Sequence, residues 1–100
     1  MYAVRMIVEE AEFTIAEADA EKFEAAYAEA KELLAQTEGF EWAHLGRGVE
    51  RPTSYRLSVG WASLEAHTVN FRESDRFPKW RALIGPYFAA DPTVEHYREV

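Results

Sequence analysis

The segment that spans residues 61–81 gathers side chains that can carry out acid–base chemistry, and no recognisable cofactor motif accompanies it. Its sequence is WASLEAHTVNFRESDRFPKWR, with His67 in the middle and Arg81 at the end. An imidazole with an unperturbed pKa of about 6.5 is suited to accept a phenolic proton near neutral pH. A guanidinium is permanently charged and can hold an anionic oxygen. We therefore take His67 and Arg81 as candidate catalytic residues of a site that uses side chains alone.

Three further residues are candidates for binding a flat aromatic substrate. Trp61 can supply an aromatic wall, and Asn70 and Tyr87 can line the same cavity. Each candidate also has a structural alternative. Trp61 lies on an apolar strand face as a core residue would, and a helix-terminating hydrogen bond or simple packing would account for Asn70 and Tyr87. His67 can lie on the exposed side of a short helix, and Arg81 can pair with a surface acid.

Composition excludes several classes of function. The chain has 100 residues, which fit a single domain over 1–100, and it has no cysteine for a disulfide, a thiolate metal site or a nucleophile. The net charge of −7 would repel a nucleic-acid backbone. No apolar run approaches the roughly 18 residues of a membrane span. The spacing of the three histidines matches no metal motif. We expect a soluble, cytoplasmic protein with no metal, nucleic-acid or membrane partner.

Alternation of apolar and polar residues predicts four strands, over residues 2–15, 40–49, 55–61 and 93–100. In the first strand the alternation changes parity, because Val4, Met6 and Val8 are even-numbered whereas the apolar residues that follow are odd-numbered. A flat strand would send these two sets to opposite faces. This pattern predicts a bulge or bend near Glu9 or Glu10.

The same alternation assigns side chains to faces of the other strands. In the second strand one face is predicted to hold Phe40, Trp42 and His44, and the other Glu41, Ala43 and Leu45. In the third strand the side chains directed toward the helices are Tyr55, Leu57, Val59 and Trp61. The last strand places on one face Val94, His96 and Arg98. We expect His96 to be a strand histidine with satisfied hydrogen bonds beside a dimer contact.

Helical periodicity predicts a helix over residues 20–36, with Asp19 as N-cap and a buried stripe of Phe23, Tyr27, Ala30 and Leu34. Ser63 can cap a short helix that begins at Leu64. A further helical segment is predicted to begin near Ser74 or Asp75, because Pro78 is tolerated only in a first turn. Its core side would hold Phe77, Trp80 and Ile84.

The predicted order of elements, β-α-β-β-α-β, is that of the ferredoxin-like α+β folds. Such a fold has a four-stranded antiparallel sheet with both helices on one face, and the other face is left bare. A domain of this size buries a limited fraction of its surface. We therefore expect a homodimer in which two open sheet faces stack against each other.

The chain resembles the antibiotic biosynthesis monooxygenase domain, a dimeric α+β barrel. The residues that carry the resemblance are YRLSVGWASLEAHTVNFRES at 55–74, the FPKWRALIGPYF that follows, the terminal VEHYREV, the AEFTI near the start and the EGF turn at 38–40. Together they span nearly the whole chain. The resemblance implies oxidation of an aromatic polyketide-like or quinol-like molecule by O2 with no cofactor.

In the cofactor-free polyketide branch of that family, the strand tryptophan is accompanied by an asparagine four residues earlier, a tyrosine six later and an arginine twenty later. Trp61 and Arg81 match this spacing, whereas Leu57 replaces the asparagine and His67 the tyrosine. Leu57 thus joins the candidate substrate-binding residues. A haem-degrading branch, with an asparagine on the first strand and a late helical histidine, is less similar, because this chain has neither.

Two interpretations from different classes remain open. An oxygenase predicts a cavity between sheet and helices that Trp61 borders, with His67 or Arg81 turned inward. A non-catalytic dimeric module that binds a small ligand or assists a partner enzyme predicts that His67 and Arg81 face water and that the interior is filled by Trp61, Phe71, Phe77 and Trp80. The directions of these side chains distinguish the two.

Overall fold

The protein is described here by a computed structural model that covers residues 6–100, and these residues form one four-stranded antiparallel sheet. The strands, in chain order, are β1 (Ile7–Thr14), β2 (Phe40–Arg47), β3 (Ser54–Trp61) and β4 (Thr93–Arg98). Their order across the sheet is β2-β3-β1-β4. The main helices are α1 (Ala20–Ala35) and α2 (Arg76–Ile84). They cover one face, called the inner face below, so the predicted ferredoxin-like fold is confirmed.

β1 is a regular strand, and the bulge predicted near Glu9 or Glu10 is wrong. Its pairing with β3 continues without a shift over all eight residues, and its pairing with β4 is also unbroken. Regular alternation places Glu9 on the inner face and Val8 on the uncovered outer face. The even-numbered and the odd-numbered apolar residues of β1 therefore lie on opposite faces of one regular strand. The beginning of the predicted strand, including Val4, lies outside the described residues.

The irregularity of the sheet lies in β2, where the register with β3 shifts between Phe40 and Trp42. The extra residue turns Phe40 onto the inner face, which it shares with Ala43 and Leu45. The prediction that Phe40 shares a face with Trp42 and His44 is therefore wrong. Trp42 and His44 stack on the outer face with their ring centroids 5.2 Å apart.

The inner faces of the remaining strands are as predicted. In β3 the side chains with at most 1% exposure are those of Tyr55, Leu57, Val59 and Trp61. In β4, Val94 and His96 pair with Ala11 and Glu9, whose side chains are on the inner face. β1 and β3 are the two interior strands, so they form the floor beneath the helices.

α1 begins directly after Asp19, as predicted, although the Asp19 side chain makes no capping hydrogen bond. Its buried residues include the predicted stripe of Phe23, Tyr27, Ala30 and Leu34. After the helix, Gly39 adopts a φ of 96°, and a Cβ there would lie 2.5 Å from the Ala66 Cβ. Only glycine fits a backbone that is both left-handed and this close to its neighbour.

The connection from β3 to β4 is largely helical. The Ser63 hydroxyl accepts a hydrogen bond from the Ala66 amide at 3.1 Å, which confirms the predicted cap. A π-helical turn, Ala66–Phe71, follows and leads into α2, where Pro78 lies in the first turn. The core side of α2 is formed, as predicted, by Phe77, Trp80 and Ile84. Among residues 6–100, no helix is long and apolar enough to cross a membrane.

Candidate active site

A cavity of about 450 Å³ lies between the inner face of the sheet and the helical cover. Its aromatic wall is formed by Phe13, Phe71, Phe77, Trp80 and Phe88. The charged or titratable side chains that line it are Glu9, His67, Arg72, Arg81 and Asp91. This volume and this mixture of aromatic wall with a few polar groups are typical of small-molecule sites.

The polar groups of the cavity differ sharply in exposure. Glu9 is 7% exposed and His67 is 3% exposed, whereas Arg72, Arg81 and Asp91 are exposed to solvent. The cavity wall therefore combines a desolvated acid–base part, called the desolvated end below, with exposed permanent charges. Of these charges, Arg72 is close enough to shift the pKa values of both Glu9 and His67.

Glu9 is the acid at the desolvated end. Its Oε1 accepts a hydrogen bond from the Trp61 indole nitrogen at 3.0 Å, and His67 Nε2 lies 3.4 Å from the same oxygen. Within residues 6–100, no hydrogen bond engages the second oxygen, Oε2. Burial raises the pKa of Glu9 above its usual value, although the Trp61 hydrogen bond and the charge of Arg72 oppose this effect. Glu9 thus retains an oxygen that can accept a proton.

His67 connects Glu9 to a second histidine. Its ring stacks on Trp61 with centroids 5.4 Å apart and planes 14° apart, and its Nδ1 lies 2.7 Å from His96 Nε2. A neutral imidazole has one donor and one acceptor nitrogen. The tautomer that suits a carboxylate at Nε2 carries its hydrogen there, so Nδ1 accepts from the Nε2–H of His96. His96 then donates a hydrogen bond to His67, and the His67 nitrogen that carries the hydrogen makes a 3.4 Å polar contact with Glu9.

The two histidines of the site, His67 and His96, are neutral near pH 7. Burial, together with the charges of the nearby His96 and Arg72, lowers the pKa of His67 to about 3. Burial also lowers the pKa of His96, again with a contribution from Arg72. The contact between His67 and Glu9 is therefore a polar contact with a neutral ring rather than an ion pair.

The structure brings together some of the predicted site residues. His67, Arg81 and Leu57 line the cavity, and His67 is turned inward. Trp61 is completely buried and is not part of the cavity wall; it lies behind His67 and holds Glu9. The Trp61 indole therefore contacts the cavity-lining residues Glu9 and His67 without lining the cavity itself.

Asn70 and Tyr87 lie away from the cavity wall. The Asn70 side-chain amide donates a hydrogen bond to the Glu38 carbonyl at 3.0 Å. This bond links the π-helical turn to the turn between α1 and β2. Tyr87 packs edge-on against Phe23, with ring centroids 6.5 Å apart. The Tyr87 contact is the simple packing described as its alternative, whereas the Asn70 hydrogen bond joins two turns and does not terminate a helix.

Sequence reasoning missed three residues of the site, namely Glu9, Arg72 and His96. Glu9 was detectable, because it occupies an odd-numbered position in a strand whose later odd-numbered residues are apolar; the predicted bulge concealed it. His96 was correctly assigned to the face of Val94, but only the pairing of β4 with β1 sets it opposite Glu9. Arg72 gave no periodic signal, since it lies where the π-helical turn ends.

Comparison with known proteins agrees with this fold. Residues 6–83 match the family model described as antibiotic biosynthesis monooxygenase. An uncharacterised protein of Bacillus subtilis (strain 168), YczJ, is 34% identical over 95 residues, which cover 95% of this chain and 100% of YczJ.

Solved structures extend the likeness to three dimensions. A Bordetella bronchiseptica protein named for antibiotic biosynthesis monooxygenases is 36% identical with a TM-score of 0.91, over 96% of this chain and 98% of that one. SnoaB, a cofactor-independent oxygenase from Streptomyces nogalater, shares the fold at 21% identity and a TM-score of 0.75, over 96% and 92% of the two chains. From the family match and these relatives, the chain belongs to the antibiotic biosynthesis monooxygenase family.

Proposed function

We propose that the protein is a cofactor-independent monooxygenase that oxidises an aromatic quinol-like or polyketide-like molecule with O2. The observation that carries this proposal is the desolvated Glu9–His67–His96 chain at one end of an aromatic-walled cavity. Family membership supports monooxygenase chemistry, and SnoaB, named a cofactor-independent oxygenase, has the same fold. Once deprotonated, an electron-rich phenol or enol can itself reduce O2, so the protein needs to bind, deprotonate and desolvate it.

The substrate proton passes to the Glu9–His67 pair rather than to His67 alone. A phenol has a pKa of about 10, and burial lowers that of His67 to about 3. Transfer to an isolated His67 would therefore be uphill by roughly 10 kcal/mol. Glu9 lines the cavity, has a raised pKa and keeps Oε2 available, so it is the better acceptor. His67 orients it and stabilises its charge through Nε2–H.

The deprotonated ring gives one electron to O2, and the ring radical and superoxide then join through a new carbon–oxygen bond. The base returns its proton to the resulting peroxide. The terminal OH and the ring hydrogen leave as water, which breaks the O–O bond and leaves a carbonyl. One phenol and one O2 thus become one quinone and one water. Arg81, at the cavity wall, can hold an anionic oxygen elsewhere on the bound substrate, and the aromatic wall excludes bulk water.

The protein acts, in this proposal, in the cytoplasm as a homodimer that forms through the outer face of the sheet. The helices leave this face uncovered, and it carries Trp42, Val8 and the 54% exposed Tyr97. Sedimentation equilibrium is expected to give twice the chain mass of 11.5 kDa for the wild type, and a monomer for Trp42→Glu. A monomeric wild type would contradict the dimer.

Oxygen uptake tests the enzymatic proposal directly. The purified protein is incubated aerobically with a panel of dihydroxyaromatics, and uptake is corrected for spontaneous oxidation without protein. We expect accelerated uptake with at least one compound and its loss in His67→Ala. His44→Ala, which removes an exposed imidazole from the outer face, is the matched control and should retain activity. Uptake that His67→Ala leaves unchanged contradicts the mechanism. Binding with no uptake for any compound favours the non-catalytic module.

A further inference from the structure

We infer that Arg72 is the counter-ion of the acid–base site, and that its guanidinium holds the substrate's hydroxyl oxygen as an anion once Glu9 has taken the proton. This inference rests on the proposed function and deepens it, because it names the group that stabilises the deprotonated substrate. The ligand that it implies is a phenol or enol bound as its anion.

The first observation is the place of Arg72 beside the acid–base residues. Arg72 follows His67 by one π-helical turn, and its backbone amide donates a hydrogen bond to the His67 carbonyl at 3.0 Å. The side chains of Arg72, His67 and Glu9 all line the cavity. A ligand that contacts Glu9 and His67 is therefore bound by a wall that also carries this guanidinium.

The second observation is that the protein does not engage the Arg72 guanidinium with an oxygen acceptor. In the part of the chain that the structure describes, no carboxylate oxygen lies within 4.0 Å of it, and the hydrogen bonds from arginine side chains come from other positions. Arg76, on the same connection, donates to Thr37 at 3.1 Å and to the Asn70 carbonyl at 3.0 Å. The Arg72 guanidinium carbon lies 5.8 Å from the centroid of the Phe77 ring instead. Its N–H donors therefore remain available to an oxygen of the ligand.

The third observation is that the charge of Arg72 acts on each titratable group of the acid–base site. It lowers the pKa of Glu9, of His67 and of His96. A nearby cation favours the anionic form of an acid and the neutral form of a base. Among residues 6–100, no other arginine or lysine lowers any of these three pKa values. Arg72 is therefore the cation that an anion beside Glu9 would meet.

A cation in this place suits the transfer of one proton from the substrate to Glu9. Before the transfer the negative charge lies on the Glu9 carboxylate, and afterwards it lies on the substrate oxygen. The O–H bond of the substrate breaks and a new O–H bond forms at Oε2, so the site gains no net charge. Burial disfavours an unpaired ion, so a phenolate here requires a counter-ion. Arg72 provides it in both states.

Anaerobic spectrophotometry with 4-nitrophenol tests this inference without any turnover. This phenol ionises near neutral pH and its anion absorbs visible light, so absorbance reports the ionised fraction of the bound probe. We expect the ratio of anion to neutral phenol to be at least about tenfold higher in the wild-type complex than for the free probe at the same pH. Arg72→Gln should abolish most of this increase, and Arg72→Lys, which restores the charge, should retain most of it. Arg72 is exposed, so both variants should fold.

Arg51→Gln is the matched control, because it makes the same change in net charge at an exposed position outside the cavity wall. A ratio that Arg72→Gln leaves unchanged, an equal fall in Arg51→Gln, or no binding of the probe by the wild type at millimolar concentration would overturn the inference. These outcomes do not involve O2. An Arg72-dependent ratio in a protein that consumes no O2 would contradict the oxygenase and support this role of Arg72. Oxygen uptake with a ratio independent of Arg72 would support the oxygenase and overturn the inference.

Discussion

The two faces of the sheet use similar polar residues in opposite surroundings. On the outer face, Glu10 accepts a hydrogen bond from Ser58 at 2.6 Å, and Glu12 pairs with Arg56 in solvent. On the inner face, Glu9 is buried beside Trp61 and two neutral histidines. Glu9 and Glu10 are adjacent in the sequence, and the alternation of side chains along β1 places them on opposite faces of the sheet.

This contrast shows that desolvation, rather than residue type, shifts the protonation equilibria of the inner-face residues. An exposed carboxylate is stabilised as an anion by water, so it has little tendency to take a proton. Burial removes that stabilisation, which raises the pKa of Glu9 and lowers that of His67. The predictions below compare matched positions on the two faces.

The largest expected effect distinguishes the adjacent acids. Glu9→Gln keeps the shape of the side chain and an acceptor for Trp61 but removes the proton acceptor. We expect oxygen uptake to fall by about 100-fold to 10,000-fold, the usual range for loss of a general base. Glu10→Gln should change uptake less than about twofold. Similar rates for the two variants would show that burial does not select the base.

The pH dependence of stability sharpens the comparison. His67 has a pKa near 6.5 in the unfolded chain and about 3 when folded, so between these values the unfolded state binds more protons. The free energy of unfolding should therefore fall as pH decreases through this window, by up to about 1.4 kcal/mol per pH unit. His96 acts in the same direction, and Glu9, with its raised pKa, acts in the opposite one.

Urea unfolding of the wild type and His67→Asn between pH 7 and pH 4 isolates the contribution of His67. The variant should show a weaker fall in stability at low pH, because the buried imidazole that resists protonation is gone. His44→Asn on the outer face should leave the wild-type dependence intact. Parallel curves for the wild type and His67→Asn would contradict the desolvated state of His67.

A smaller effect is expected from two glycines on the outer face. A Cβ at Gly60 would lie 2.4 Å from the Trp42 indole, whereas at Gly46 the nearest atom would be 4.0 Å away. Gly60→Ala should therefore destabilise the fold by about 1–3 kcal/mol through overpacking, and Gly46→Ala should not. Combining Gly60→Ala with Trp42→Ala should recover part of the loss. Equal effects of the two single variants on urea unfolding would argue against this packing.

The smallest effect is expected from the exposed ion pair of the outer face. Arg56→Gln removes the partner of Glu12, but both side chains are solvated, so water replaces most of the interaction. In the Trp42→Glu background, which is expected to be monomeric and to leave this face in water, Arg56→Gln should cause no measurable change in melting temperature. A clear loss in that background would show that the ion pair is stabilising even when solvated.

Much of the fold could be predicted from the sequence because its signals are local. The stripe of α1, the alternation of β3 and the position of Pro78 each depend on a few neighbouring residues. The site depends on pairings between distant segments. Glu9 and His96 meet because β4 lies beside β1. Alternation alone cannot give that order, and it misplaced the bulge because a polar residue at an inward position resembles an irregularity.

His67 illustrates how far residue type can predict chemistry. Its presence in the cavity was predicted, but the assumption of an unperturbed pKa was wrong, because burial lowers the pKa to about 3. The extent of burial depends on Trp61, Phe71 and the helical cover, which stack around the ring. Such packing has no signature in a single sequence.

The carboxyl group and the guanidinium groups of the cavity wall have different structural support. Glu9 and Trp61 project from the interior strands β1 and β3, whose backbones are hydrogen-bonded on both sides, whereas Arg72 and Arg81 belong to the helical cover. Substitutions in the cover that spare His67 can therefore change the charge of the cavity wall while the interior strands hold Glu9 and Trp61 in place.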